Sequence, residues 1–158
     1  MVCRFAWQGL PAQGAASRLT LSLTHRSAAR RVQYVTGHGE KGTLPEDIDW
    51  RRIADPSVTT VIYMPKKTLR QFTDHALAAG LDPETPALAI ANATRANEQV
   101  AAATIDALAD AALPEGPTIV MIGSVCGAAA ISAHSRRHAE SATAISQERA
   151  DRDSARIS

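Results

Sequence analysis

The chain has 158 residues, 17 Lys and Arg against 16 Asp and Glu, two cysteines and 4% aromatic residues. That length suits one ordinary domain, and 45% apolar content supports an aliphatic core rather than wholesale disorder. A net charge of +1 provides no field to steer nucleic acid or an anionic membrane onto the protein.

Cys3 and Cys126 are too few for a disulfide framework, which suits a reducing cytoplasm. The N-terminal apolar stretch is too short and interrupted for a secretory signal. The uncharged run over 118–133 falls short of the roughly 20 apolar residues that a membrane span needs.

In chain order, Val32-Gln33-Tyr34-Val35-Thr36 predicts a first strand. Gly37-His38-Gly39-Glu40-Lys41-Gly42 follows it and matches the G-x-G-x-x-G spacing of dinucleotide sites. That chemistry needs a helix to begin at the glycines, whereas Pro45-Glu46-Asp47 predicts a separate, later helix. The stretch therefore reads as a glycine loop. Val58-Thr59-Thr60-Val61-Ile62-Tyr63-Met64 predicts a second strand, buried on both faces.

Over 66–80, Leu69, Phe72, Ala76 and Leu77 fall at helical spacing, with Gly80 as the terminating residue. His75, mid-helix beside Asp74, reads as an exposed, idle side chain. Pro86-Ala87-Leu88-Ala89-Ile90-Ala91 is a weaker third strand, and 98–113 is helix or strand plus helix. Thr118-Ile119-Val120-Met121-Ile122 predicts a last strand, and the alternation points to α/β architecture. From Cys126 onward small and polar residues dominate, which reads as a solvated tail over 126–158. His134 and His138 share a helical face there, but they lack a third ligand and Arg136 and Arg137 mark a surface. No metal site is expected.

Four ordered stretches are more specific than these generic motifs. They are Leu23-Thr24-His25-Arg26, Val35-Thr36-Gly37-His38, Leu44-Pro45-Glu46-Asp47-Ile48-Asp49-Trp50 and Thr60-Val61-Ile62-Tyr63-Met64. Ile90-Ala91-Asn92-Ala93-Thr94-Arg95 and Val120-Met121-Ile122-Gly123 extend the pattern. Together they resemble the second half of the uroporphyrinogen-III C-methyltransferases, the tetrapyrrole methylase module also found in siroheme synthase. The resemblance covers 12–125 and leaves 1–11 unaligned.

The resemblance implies the C-terminal domain of the tetrapyrrole methylase fold, a mixed sheet flanked by helices. It also implies S-adenosylmethionine (SAM) as methyl donor, uroporphyrinogen III as substrate and precorrin-2 as product, toward siroheme or cobalamin. Met64 and Ala93 match cofactor-binding positions, with Met121 a weaker match on the same wall. A polycarboxylate substrate fits basic loops, for which Arg26 and Lys66, with Arg30 and Lys67, are the candidates. No catalytic residue is assigned, because the family's acid and base roles belong to an N-terminal half without counterpart here. Three uses stay open: half of a methyltransferase that pairs with a separate N-terminal half, an inactive truncated or frameshifted remnant, and a non-enzymatic dimerisation module.

Overall fold

In a computed structural model, residues 11–19, 21–39 and 42–127 are described. Helix α1 (Pro11–Arg18) is followed by β1 (Arg31–Thr36), α2 (Trp50–Ile53), β2 (Val58–Tyr63) and α3 (Leu69–Ala78). Then come β3 (Pro86–Ala91), β4 (Gln99–Thr104), α4 (Ile105–Asp110) and β5 (Thr118–Ile122). The architecture is α/β, as expected. His134, His138, Cys3 and most of the polar tail lie outside the described residues.

The sheet order is β1-β2-β5-β3-β4, with β1 parallel to β2 and the remaining pairs antiparallel. The last strand in sequence thus sits at the centre, antiparallel to both β2 and β3. Those two therefore run in the same direction, and their carboxyl ends emerge on either side of the start of β5. This explains the continuous apolar runs: the β5 residues and all but Tyr63 and Pro86 of β2 and β3 are buried. Edge strands β1 and β4 are half exposed, and their side chains are correspondingly mixed or small.

Side-chain alternation divides the interior into two layers. On one face Ile62, Ala87, Ala89, Val120 and Ile122 pack against Ile53 of α2, Leu69, Phe72 and Ala76 of α3, and Ile105 and Leu108 of α4. On the other, Val61, Leu88, Ile90, Ile119 and Met121 meet Ala12, Ala15 and Ala16 of α1. Small side chains let this short helix lie close to the sheet. Cys126, which sequence reading placed at the start of the tail, is buried in this second layer beside Val125. Burial pushes its thiol up to about 12.

Local chemistry accounts for the helix ends. Gly80, at φ 102°, follows α3; its N–H bonds Leu77 O and the Leu81 N–H bonds Ala76 O, a Schellman closure sealed by buried Leu81. Helix α2 begins at Trp50 rather than Pro45, because the Asp49 carboxylate accepts the Arg52 N–H at 3.3 Å and caps it there. In the glycine loop after β1 the Gly39 N–H bonds Thr43 O at 2.8 Å, and no helix starts among its described residues. The segment 98–113 resolves as strand plus helix, with the Thr104 hydroxyl capping α4 through the Ala107 N–H. Sequence reading missed α1 altogether.

Candidate functional site

The carboxyl ends of β2 and β3, together with the start of β5, enclose a cleft of about 260 Å³. Tyr63 and Met64 form one side, Asn92, Ala93 and Arg95 the other, and Pro117, Thr118 and Ile119 lie between. Open α/β sheets place ligands at such strand ends, where loops diverge and main-chain groups are free.

The backbone there is unusual. Met64 (φ 53°), Asn92 (φ 53°) and Thr94 (φ 69°) are the non-glycine residues with left-handed backbone among those described, and all three belong to the turns of this cleft. A left-handed residue with a Cβ costs roughly 1–2 kcal/mol, so the surrounding structure must hold each one in place.

The Met64 turn is clamped from β1. The Gly37 N–H bonds Tyr63 O at 2.8 Å, and the Thr68 hydroxyl donates to Gly37 O. A Cβ on Gly37 would approach Pro65 Cα to 2.9 Å, so only glycine permits this contact. Met64 is left 59% exposed, unusual for a large apolar side chain. The 92–98 turn is closed by the Glu98 carboxylate, which accepts the Thr94 N–H at 2.6 Å. Against its back lies Gly14 of α1, where a Cβ would sit 2.6 Å from Thr94 Cγ2. The Tyr63 hydroxyl is buried, faces the Ala12 amide and makes no hydrogen bond of good geometry; burial raises its pKa.

The structure brings Met64 and Ala93 together and separates the other candidates. Met121 is wholly buried in β5 opposite Val61 and Leu88; Ile119, two residues earlier on the same face, lines the cleft instead. Arg26 lies in the tight turn bridged by His25 and Ala29, just before β1, and the neighbouring Arg30 N–H bonds Ser57 O. That is the opposite end of the sheet, about 20 Å from Met64 along a six-residue strand. Arg26 and Arg30 thus do not face the cleft, because their loop feeds the amino end of a strand whose carboxyl end forms the site.

Lys66 stands at the correct end, two residues beyond Met64, but with Lys67 and Arg70 it lines a separate groove between α3 and α4. His75 is not idle: its ring stacks on Trp50 at 5.0 Å, and Trp50 meets Phe72 edge-on at 5.2 Å. Asn92, Arg95 and Ile119 were missed as cleft residues. The one sequence signal was Asn-Ala-Thr immediately after an apolar strand, since asparagine tolerates left-handed backbone. Among the described residues no cluster of three metal-ligating side chains occurs, and no helix is long and apolar enough to cross a membrane.

Comparison with known proteins places this cleft in context. The chain is 34% identical over 134 residues to a siroheme synthase of Methylococcus capsulatus, spanning 80% of this chain but 28% of that protein. It is also 34% identical to a uroporphyrinogen-III C-methyltransferase of Paracoccus denitrificans, covering 75% of this chain and 42% of the relative. The chain therefore spans well under half the length of these curated relatives. A crystal structure of the Thermus thermophilus uroporphyrin-III C-methyltransferase, complexed with S-adenosylhomocysteine, superposes with a TM-score of 0.59 at 28% identity. It covers 72% of this chain and 49% of that one. A cobalt precorrin-4 methyltransferase shares the fold at TM-score 0.62 and 19% identity. The family model for tetrapyrrole (corrin/porphyrin) methylases matches residues 11–109, and the chain belongs to that family.

Proposed function

We propose that the cleft between Met64 and Ala93 forms one wall of a SAM site, and that the chain serves in C-methylation of uroporphyrinogen III to precorrin-2. The observation that carries this reading is the convergence of strained backbone, a small residue and an exposed methionine at one strand-end cleft. Family membership supplies the chemistry: when bound, SAM contributes a sulfonium methyl group.

The protein's own task is positioning. Ala93 keeps its wall low enough for close approach, and the turned main chain at Met64 and Ala93 offers groups fixed in direction before any ligand arrives. Ile119 and Ile90 make the floor apolar. Such pre-ordering removes translational and rotational freedom from the reacting pair. Lys66, in the adjoining groove two residues beyond Met64, is a candidate for a substrate carboxylate. In this reading, association with an N-terminal methylase half or a second copy completes the site.

The test combines this chain with a separately produced N-terminal methylase half, SAM and uroporphyrinogen III, and follows precorrin-2 by absorbance and mass. Product should form only when both halves are present. Ala93→Leu should lower the rate by about 100-fold, the scale of a misplaced reactant, while circular dichroism stays unchanged. Absence of methylation with correctly folded halves sinks the proposal.

A further inference from the structure

Asn92 closes β3, is 9% exposed and adopts φ 53°. Its main chain is held on both sides: the N–H donates to Pro117 O at 2.9 Å, and its carbonyl accepts the Arg95 N–H at 3.0 Å. Its side-chain Nδ2 donates to Glu115 O at 3.0 Å and reaches Asn97 O at 3.5 Å. One amide thus ties the 92–98 turn to the 114–117 turn that leads into β5.

The opposing residue is matched to it. Gly116 has φ 105°, and a Cβ there would come within 2.3 Å of Asn92 Oδ1. The carboxamide fills the space that a side chain at position 116 would need. The side-chain donor is therefore committed to main-chain carbonyls, which couples the Asn92 amide to the backbone of its neighbour Ala93.

We infer that Asn92 is a positioning residue: its carboxamide, locked to the 115–117 main chain, sets the Ala93 backbone that lines the cleft. The inference rests on the reading of that cleft as a SAM site. Asparagine alone combines two properties needed here, tolerance of left-handed backbone and a neutral side-chain donor long enough to cross between turns. Glycine keeps only the first. Aspartate keeps shape and backbone tolerance but turns a donor into an acceptor facing carbonyl oxygens.

The test compares the full-length chain with Asn92→Gly and Asn92→Asp, using amide hydrogen exchange and titration with S-adenosylhomocysteine followed by NMR. Both variants should retain exchange protection across β2, β5 and β3. Both should show Ala93, Thr94 and Gly116 amides that shift and exchange about tenfold faster, and about tenfold weaker S-adenosylhomocysteine binding, the loss expected for one buried donor. Gly116→Ala should shift the Ala93 and Thr94 amides from the other side of the contact. Exchange unchanged at 93, 94 and 116, or an equal loss of protection throughout the strand ladder, overturns the inference. Absence of S-adenosylhomocysteine binding by the unmodified chain counts against the SAM-site reading, while the exchange comparison still decides the role of Asn92.

Discussion

The two ends of the sheet carry similar numbers of turns but are built differently. At the end where β2 and β3 finish, Met64, Asn92 and Thr94 are held in left-handed backbone by Gly37, Thr68, Glu98 and the 114–117 turn. At the other end ordinary side-chain turns suffice. Asp55 accepts the Ser57 N–H at 2.8 Å and its hydroxyl at 2.7 Å, and Asp82 accepts the Glu84 N–H at 2.9 Å. Those Ser57 bonds, assisted by Arg31, lower the Asp55 pKa at an exposed site. The positive-φ residues described there, Gly80 and Gly123, are glycines, so no Cβ is strained. Strain confined to one end, against relaxed turns at the other, marks which loops are constrained by more than chain reversal.

The sharpest way to break this comparison uses two glycines of nearly equal conformation. Gly116 and Gly80 have φ of 105° and 102°, but a Cβ at 116 strikes Asn92 whereas one at 80 meets nothing within 4 Å. Gly116→Ala should therefore cost about 2–4 kcal/mol in urea unfolding, strain plus overpacking. Gly80→Ala should cost about 1–2 kcal/mol, strain alone. Equal losses would mean that the Asn92 contact contributes nothing.

A pH effect belongs to the relaxed end. Cys126, just beyond β5, is buried with its thiol raised from 9.0 to about 12, so the folded state keeps its proton where the unfolded chain loses it. Stability from this group is complete below about 9 and is lost progressively toward about 12. At pH 10 the loss should be about 1.4 kcal/mol, one pH unit above the ordinary thiol value. Denaturant titrations against pH should show this slope vanish in Cys126→Ala.

The smallest effect is expected at Arg70, which pairs with Asp74 within α3 at 2.6 Å and links α3 to α4 through Asp106 and Asp110 at 3.2 and 3.1 Å. All four side chains are more than a third exposed, so Arg70→Ala should cost about 1 kcal/mol or less, and less again at high salt. A loss well above this would move weight from the strained end to the helical face.

Four strands were legible, most clearly β2, β3 and β5, which are buried on both faces and accordingly continuous in apolar residues, whereas β4 lay within a segment that read equally as helix. Helix α3 was legible because Leu69, Phe72 and Ala76 share one face and Gly80 ends it. Helix α1 was not, since Ala12, Ala15 and Ala16 acquire a core-facing role only against the sheet, and alanine carries a faint hydrophobic pattern. The start of α2 was misplaced because Pro45 and two acids mimic a helix entrance, while Asp49 provides the actual cap.

For the cleft, family resemblance pointed to Met64 and Ala93, and the fold places them on opposite sides of one cleft. Arg26, Met121 and the missed Asn92 show where such reading stops. The positions of Met121 and Asn92 depend on β5 inserting antiparallel between β2 and β3, a pairing between residues up to about 60 positions apart, and that of Arg26 on β1 lying parallel to β2; no local pattern encodes either. The sequence by itself determined the family, the buried strands and the aliphatic core, because burial and period are properties of short segments. Tertiary structure alone decided which end of the sheet carries the strained turns. Among the described residues, only there do separate turns meet closely enough to hold three side-chain-bearing residues in a backbone conformation that none of them would keep alone.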